Sequence, residues 1–377
     1  MSSHIHTIVD PDPRAISATR GDFVAALAGP TEFRLSGRDP SRYRVAVVLL
    51  HGDEPSGVEA ARRWLRAGRA PAVDTSLFVM AVEAARQPPG FAHRMLPGRR
   101  DLNRCFFGPF DDHDGALAQA LYRRVCHRPC EALVDLHNNS GHNPAYGIST
   151  HATAANMKLI ELFSHTACLL QELALGTLLE VIDNAFPAIS IECGQTGTDA
   201  ADDTASAGLD AFLSRDQLEL DRPPDNLPAH MTILEQPVRV CVSPGARLEF
   251  ADAPVVDADL TLVAHLEQHN FRALAPGALL GWLTPQRSAT EAVPSDTGHD
   301  PPLWPLSARD ARGRDITREC FFVEGSTLRW RGDRVPIMMS TVPGVVFADC
   351  LCYLMRRYSD PRPAAAAASP KAKIRPR

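Results

Sequence analysis

Residues 43–57 read YRVAVVLLHGDEPSG, and this stretch decides the fold. The run from Tyr43 to Leu50 is almost continuously apolar and rich in β-branched side chains, which predicts a strand buried on both faces. A glycine and a proline then end the strand, so that His51 and Glu54 lie three residues apart in a turn. Open α/β sheets bind their ligands at the carboxyl ends of the strands. The pair alone is equally typical of a solvated turn, and the rest of the chain has to distinguish the two interpretations.

Two further apolar runs end in the same kind of side chain. Residues 131–136 (EALVDL) precede His137, and residues 186–191 (FPAISI) precede Glu192. Parallel strands place their carboxyl ends along one edge of a sheet, so the four groups are expected to converge there. Two histidines and one glutamate form the ligand set of a hydrolytic zinc site that keeps one position open. Glu192 is then the spare carboxylate that takes a proton from water.

The composition excludes several classes of partner. The chain has 377 residues with 39 Lys and Arg against 45 Asp and Glu, a net charge of -6, so it offers no basic field for nucleic acid or an anionic membrane. Neither a signal peptide nor an 18-residue apolar segment is evident, which predicts a cytoplasmic protein. Nine irregularly spaced cysteines suggest no disulfide framework. A homo-oligomer is compatible with the sequence.

The order of patterns predicts an α/β fold, in which a mainly parallel or mixed sheet is flanked by helices and followed by a smaller β-rich domain. The predicted segments are an N-terminal extension at 1–40, a catalytic domain at 41–222, a linker at 221–228, a β-rich domain at 229–359 and a disordered tail at 360–377. Helices are predicted at 56–69, with Ser56 as N-cap, and at 116–126 and 152–175. Further strands are predicted at 75–82, 238–242, 248–250 and 335–340.

An arginine-rich loop follows the second predicted strand. Residues 91–106 read FAHRMLPGRRDLNRCF and leave the sheet at the edge where the metal ligands are expected. A guanidinium group binds a carboxylate through two parallel hydrogen bonds, and Asn103 could add a further donor. Another arginine could stabilise the oxygen that gains charge in a tetrahedral intermediate. The loop therefore predicts a small anionic amide substrate.

Four motifs in order resemble the succinylglutamate desuccinylase/aspartoacylase family, over about residues 43–200. They are His51-Gly-Asp-Glu54, Asp101-Leu-Asn103-Arg104, Asp135-Leu-His137 and Ile191-Glu192. His269-Asn270-Phe271 is similar, more weakly, to the family's carboxyl-terminal β domain. The resemblance implies the fold and mechanism of the zinc carboxypeptidases.

The resemblance also implies residue roles. One zinc ion per chain would be held by three ligands, His51, Glu54 and His137. Glu192 would be the general base and later the proton donor, while Asn103 and Arg104 would hold the substrate carboxylate. The oxyanion residue is Arg94 or Arg100, of which we favour Arg94. Asp135 is either an acceptor that orients a ligand imidazole or a surface acid at the end of the strand.

The sequence departs from the family pattern in two places. A second cation that would grip a dicarboxylic product is expected shortly before the catalytic glutamate, but residues 180–190 (EVIDNAFPAIS) contain none, which disfavours N-acetylaspartate. A late tyrosine of the carboxyl-terminal domain is also not evident, and Tyr146, in the predicted loop after His137, is a possible substitute.

These features predict a zinc-dependent amide hydrolase that removes the acyl group from an N-acyl amino acid or a similar small carboxylate. A zinc carboxypeptidase acting on short peptides is the alternative enzyme. A catalytically inert binding protein of the same fold is the alternative from another class, but it has no need of Glu192. The sequence contains neither a GxGxxG nor a GxSxG motif, which argues against a dinucleotide-binding protein and a serine hydrolase.

Overall fold

The computed structural model describes residues 4–170, 174–182, 185–220, 230–284 and 305–358. The predicted linker at 221–228 and the predicted tail at 360–377 lie outside the described residues. Within the described residues, no helix combines the length and the apolar character needed to cross a membrane.

The described strands are β1 His6–Val9, β2 Thr31–Leu35, β3 Asp39–Val48, β4 Val73–Val79, β5 Ala132–Asn139, β6 Tyr146–Ser149, β7 Thr166–Leu169, β8 Ala188–Gln195, β9 Thr232–Val242, β10 Leu248–Phe250, β11 Leu260–Leu262, β12 Leu279–Leu283, β13 Leu306–Asp310, β14 Phe321–Glu324, β15 Thr327–Trp330, β16 Val335–Ile337 and β17 Cys352–Arg357. The described helices are α1 Arg20–Ala26, α2 Ser56–Ala67, α3 Val82–Arg86, α4 His113–Val125, α5 Ala154–Ile160, α6 Leu178–Ile182, α7 Asp199–Ser214, α8 Thr317–Cys320 and α9 Pro343–Ala348.

A large mixed sheet forms the centre of the molecule. Its strands run in the order β1-β2-β4-β3-β5-β8-β6-β7-β9-β17-β16, with β13 also paired to β9. The three strands predicted to carry the site, β3, β5 and β8, are parallel neighbours, since Val48 pairs with Leu136 and His137 pairs with Glu192. Their carboxyl ends therefore meet at one edge, which confirms the predicted fold class.

Both faces of this sheet are covered, as the apolar run at residues 43–50 requires. Ala46 and Val48 pack into a core on one face, and Val45 and Val47 pack into a second core on the other. All four side chains are completely buried. Gly57 in α2 permits close packing there, because a Cβ at this position would lie 2.9 Å from the Cβ of Val48.

The carboxyl-terminal part contains a smaller sheet, in the order β10-β11-β12-β15-β14. However, β9, β13, β16 and β17 from the same part of the chain belong to the large sheet, and β9 pairs in parallel with β7. The segment assigned to an N-terminal extension likewise contributes β1 and β2, and β2 pairs with β4. The domain boundaries from the sequence stay a prediction.

Two predicted elements are wrong. Among the described residues of the range 152–175, where a helix was predicted, the only helix is α5, and it is followed by the strand β7. Short apolar runs are the same in a buried strand and in a buried helix, so periodicity could not separate them. Ser56 is the first residue of α2 and not its N-cap, a position taken by Pro55. Its hydroxyl instead donates a hydrogen bond of 2.6 Å to Asp202 Oδ1.

Candidate metal centre and active site

The turn after β3 places His51 and Glu54 by close backbone packing. Leu49 has a φ of 60°, in the left-handed region, and turns the chain out of the strand. Gly52 follows at a point where a Cβ would lie 2.6 Å from the carbonyl oxygen of His93 and 2.7 Å from the amide nitrogen of Ala85. The Gly52 amide also donates a 2.9 Å hydrogen bond to the carbonyl oxygen of Arg94. The metal turn and the arginine-rich loop are thereby joined.

Glu54 lies between two histidines. Its Oε1 is 2.8 Å from His51 Nδ1 and its Oε2 is 2.7 Å from His137 Nδ1. All three side chains are buried, and one ligand atom from each lies within 4.8 Å of the others. The structure thus brings together the three residues that the sequence predicted as metal ligands.

The other nitrogen of each imidazole meets a further carboxylate. His51 Nε2 lies 3.0 Å from Asp101 Oδ1, and His137 Nε2 lies 2.8 Å from Asp135 Oδ2. Such outer carboxylates fix the ring orientation of a metal-ligating histidine and make it more basic. Burial opposes the charged imidazolium, but Asp135 and Glu54 outweigh burial and raise the pKa of His137 well above its ordinary value. Asp135 therefore takes the orienting position, and it is not a surface acid, since it is 1% exposed.

This donor set suits zinc. Two imidazole nitrogens and one carboxylate oxygen are the ligands of hydrolytic zinc sites with an open fourth position. In the structure both Nδ1 atoms face the same carboxylate, and both Nε2 atoms are held by acids on the outside. The residues present, His51, Glu54 and His137, fit a single zinc ion.

Three side chains of the site lie side by side on neighbouring strands. Glu192 on β8 pairs in register with His137 on β5 and with Tyr146 on β6. Asn139 Nδ2 donates a 3.2 Å hydrogen bond to Glu192 Oε2. Burial raises the pKa of Glu192 to about 7, and the negative charge of Glu54 adds to this effect against the opposing charge of His137. A carboxylate with a pKa near neutrality can both accept and return a proton.

The two candidate oxyanion arginines have different surroundings. The Arg94 guanidinium lies against the cluster, since its Nη2 is 2.8 Å from His51 Nε2 and its Nε donates a 3.0 Å hydrogen bond to Asp101 Oδ2. Arg100 instead donates to Asp112 and to the carbonyl oxygen of Pro109, at 2.6 Å and 2.7 Å. Among the contacts of the described chain, only Arg94 of the two joins the ligand cluster, which favours it as the oxyanion residue.

Asn103 and Arg104 lie further from the centre of the ligand cluster than Arg94 does. Asn103 Nδ2 is 3.5 Å from His137 Nε2, and its Oδ1 accepts a 3.0 Å hydrogen bond from the amide of Leu178. The Arg104 side chain is one third exposed and its Nη2 lies 3.8 Å from Asp349 Oδ2. The structure therefore brings Asn103 to the cluster and places Arg104 at its rim.

Tyr146 is a strand residue and not a loop residue, and its side chain is completely buried. Its ring centroid lies 4.7 Å from that of Phe271, and its hydroxyl has no hydrogen-bond partner within the described structure. Asn270 Nδ2, beside Phe271, donates to the carbonyl oxygens of His142 and Met339. The His269-Asn270-Phe271 motif thus fastens the carboxyl-terminal part to the loop that follows His137.

Two residues of the site had no role in the sequence interpretation. Asp101 is the first residue of the Asp101-Leu-Asn103-Arg104 motif, and its contact with His51 spans 50 positions. Asn139, two residues after His137 on β5, donates its hydrogen bond to Glu192 beyond a register shift in the pairing of β5 with β8. Because the register shifts between His137 and Asn139, the regular alternation of side chains along a strand could not have identified this contact.

Comparison with known proteins agrees with the resemblance. Residues 47–211 match the sequence model of the "Succinylglutamate desuccinylase/Aspartoacylase catalytic domain". Curated protein sequences yield no match.

Several solved structures share the fold. The succinylglutamate desuccinylase/aspartoacylase from Rhodobacter sphaeroides is 14% identical, covers 88% of each chain and has a TM-score of 0.53. For the succinylglutamate desuccinylase from Chromobacterium violaceum the identity is 14%, the coverage is 85% of this chain and 86% of that chain, and the TM-score is 0.52. A point mutant of murine aminoacylase 3 is 18% identical, covers 85% of this chain and 96% of that chain, and has a TM-score of 0.51.

Proposed function

We propose that the protein is a zinc-dependent amide hydrolase that removes the acyl group from an N-acyl amino acid or a similar small carboxylate, because residues 47–211 match the sequence model of the succinylglutamate desuccinylase/aspartoacylase catalytic domain. One observation carries the proposal. The buried cluster of His51, Glu54 and His137 lies beside a fourth side chain, Glu192, that is in register with His137 and is not needed to complete the ligand set.

His51, Glu54 and His137 would hold the zinc ion, which when bound polarises the amide carbonyl and lowers the pKa of water. The Glu192 carboxylate accepts a proton from the attacking water and returns it to the nitrogen of the leaving amine. Asn139 keeps that carboxylate in place through its hydrogen bond to Oε2.

Four side chains around the metal cluster contact the substrate in this proposal. The Arg94 guanidinium, already directed at the cluster, stabilises the charge that develops on the carbonyl oxygen. Asn103 and Arg104 bind the carboxylate of the substrate from the side of the rim. Tyr146 offers its unpartnered hydroxyl to the substrate from the strand next to Glu192.

A substrate screen on the zinc-loaded protein tests the proposal. N-acyl amino acids with different acyl groups and a matching set of dipeptides are incubated with the wild type, and the released amine is quantified. We expect turnover of at least one N-acyl amino acid, and turnover of dipeptides alone would identify a peptidase instead. No turnover of either set, with zinc bound, would contradict the proposal and favour an inert binding protein.

A single substitution then tests the mechanism. Glu192→Gln preserves the size of the side chain but removes the base, so we expect hydrolysis to be lost while the zinc content stays that of the wild type. Glu59→Gln is the matched control, because Glu59 lies on α2 and bonds to Arg62 and Arg63. Retained turnover in Glu192→Gln would exclude Glu192 as the base.

A further inference from the structure

A carboxylate of the protein itself lies beside the arginine proposed to bind the substrate. Asp349 follows α9 in the carboxyl-terminal part, and its Oδ2 lies 3.8 Å from Arg104 Nη2. The two residues are far apart in the sequence and meet only through the fold. Asp349 therefore brings a negative charge to the rim of the site.

Arg239 holds this carboxylate in place. Its Nη2 donates hydrogen bonds of 2.7 Å to Asp349 Oδ1 and 2.9 Å to the backbone oxygen of the same residue. Arg239 lies on β9, where it pairs in register with Tyr353 of β17. A guanidinium that grips both the side chain and the backbone of one residue leaves that carboxylate little freedom to turn away. Arg239 is thus a positioning residue for Asp349.

The charges of Arg104, Arg239 and Asp349 together can neutralise one substrate carboxylate. Arg104 and Arg239 contribute two positive charges and Asp349 contributes one negative charge, so the rim keeps a single net positive charge. A second substrate carboxylate would meet the fixed charge of Asp349, and like charges at close range disfavour binding. The segment 180–190, which precedes Glu192, supplies no additional cation.

We propose that Asp349, held by Arg239 against Arg104, takes the place of the second carboxylate of a dicarboxylic substrate and makes the site selective for N-acyl amino acids with a single carboxylate. This inference rests on the proposed function, because it assigns the side-chain class of the same substrate. N-acyl amino acids with uncharged side chains are accepted, and N-acyl aspartate and glutamate are disfavoured by charge and not by size.

The test compares substrates that differ in charge but hardly in shape. N-acyl aspartate and N-acyl asparagine, with the acyl group that the screen selects, are assayed for kcat and KM separately with the wild type and Asp349→Asn. We expect the ratio of kcat/KM for the acidic over the amide substrate to rise by roughly fivefold or more, the size expected on removal of a half-exposed like charge. The change should lie in KM for the acidic substrate.

Asp333→Asn is the matched control, because Asp333 is an aspartate of the same part of the chain whose 2.7 Å partner is Arg356 and not Arg104. The ratio of kcat/KM for the acidic over the amide substrate should be the same in Asp333→Asn as in the wild type. Asp349→Ala provides a second variant, and unfolding temperature and zinc content verify that each variant is folded.

Two results would overturn the inference while leaving the proposed function intact. One is an unchanged ratio in both Asp349 variants. The other is a wild type that already prefers the acidic substrate over its amide. Failure of the proposed function is a separate outcome, namely a wild type that hydrolyses no N-acyl amino acid in the screen.

Discussion

Replacing Asp135 by asparagine should weaken zinc binding without unfolding the protein. Asp135 Oδ2 lies 2.8 Å from His137 Nε2, and the residue is only 1% exposed, so solvent screens this contact very little. Asparagine keeps the shape but offers a neutral acceptor in place of a charged one, so the His137 imidazole becomes less basic. Loss of such an outer contact costs about 10- to 100-fold in metal affinity, which corresponds to about 1.4–2.7 kcal/mol.

The affinity is measured by competition with a zinc chelator of known affinity, with wild type and variant side by side. Asp202→Asn serves as control, because Asp202 is also buried but accepts hydrogen bonds from Ser56 and Arg20 and touches neither histidine. The control should bind zinc as the wild type does. A zinc Kd for Asp135→Asn within about twofold of the wild type, in a folded protein, would refute the orienting role given to Asp135.

Three other substitutions test separate parts of the account. Arg94→Ala should lower kcat by about two orders of magnitude because it removes a donor at the developing oxyanion, whereas the kcat of Arg100→Ala should stay close to that of the wild type. Equal losses of kcat in the two variants, measured in a steady-state assay, would contradict the assignment of Arg94. Gly52→Ala forces a Cβ onto neighbouring backbone atoms and should destabilise the fold by about 1–3 kcal/mol, while Gly29→Ala, where the nearest atom is 3.7 Å away, should be nearly neutral in thermal unfolding. Burial opposes ionisation of Glu32, but its hydrogen bonds outweigh burial and lower its pKa in the folded protein. The ionised carboxylate therefore stabilises the fold at pH values above its unfolded pKa, and this stabilisation is lost as the pH falls through the lower folded pKa. In denaturant unfolding, the difference in the free energy of unfolding between wild type and Glu32→Gln should therefore shrink from about pH 6 to pH 3. A difference that stays constant over this range would contradict the prediction.

The strands that carry the site could be predicted from the sequence because their patterns are local. The run before His51 and the run before His137 are mainly apolar, as is typical of strands covered on both faces, and each is followed directly by a polar ligand. The parallel pairing of β3, β5 and β8 then follows from the alternation of strands and helices along the chain. For this reason the fold class and the convergence of the ligands were predictable.

Other features of the fold and of the site depend on contacts between distant parts of the chain, which no local sequence pattern indicates. Residues 166–169 are as apolar in β7 as they would be in a helix, and the choice between them is made by the neighbouring strands β6 and β9. Tyr146 was predicted in a loop because its strand is only four residues long. The contact of Asp349 with Arg104 joins residues that are 245 positions apart in the sequence, and only the three-dimensional fold can bring those charges together.

Zinc titration of the metal-free protein tests the central claim most directly. The protein is stripped with a chelator, zinc is added in steps, and hydrolysis of the N-acyl amino acid selected by the screen is followed at each step. We predict no turnover without metal and a rate that rises to a plateau at one zinc ion per chain, with no such rise in His51→Ala or His137→Ala. Full turnover in the presence of excess chelator, or an unchanged zinc requirement in the histidine variants, would contradict the assignment of this site.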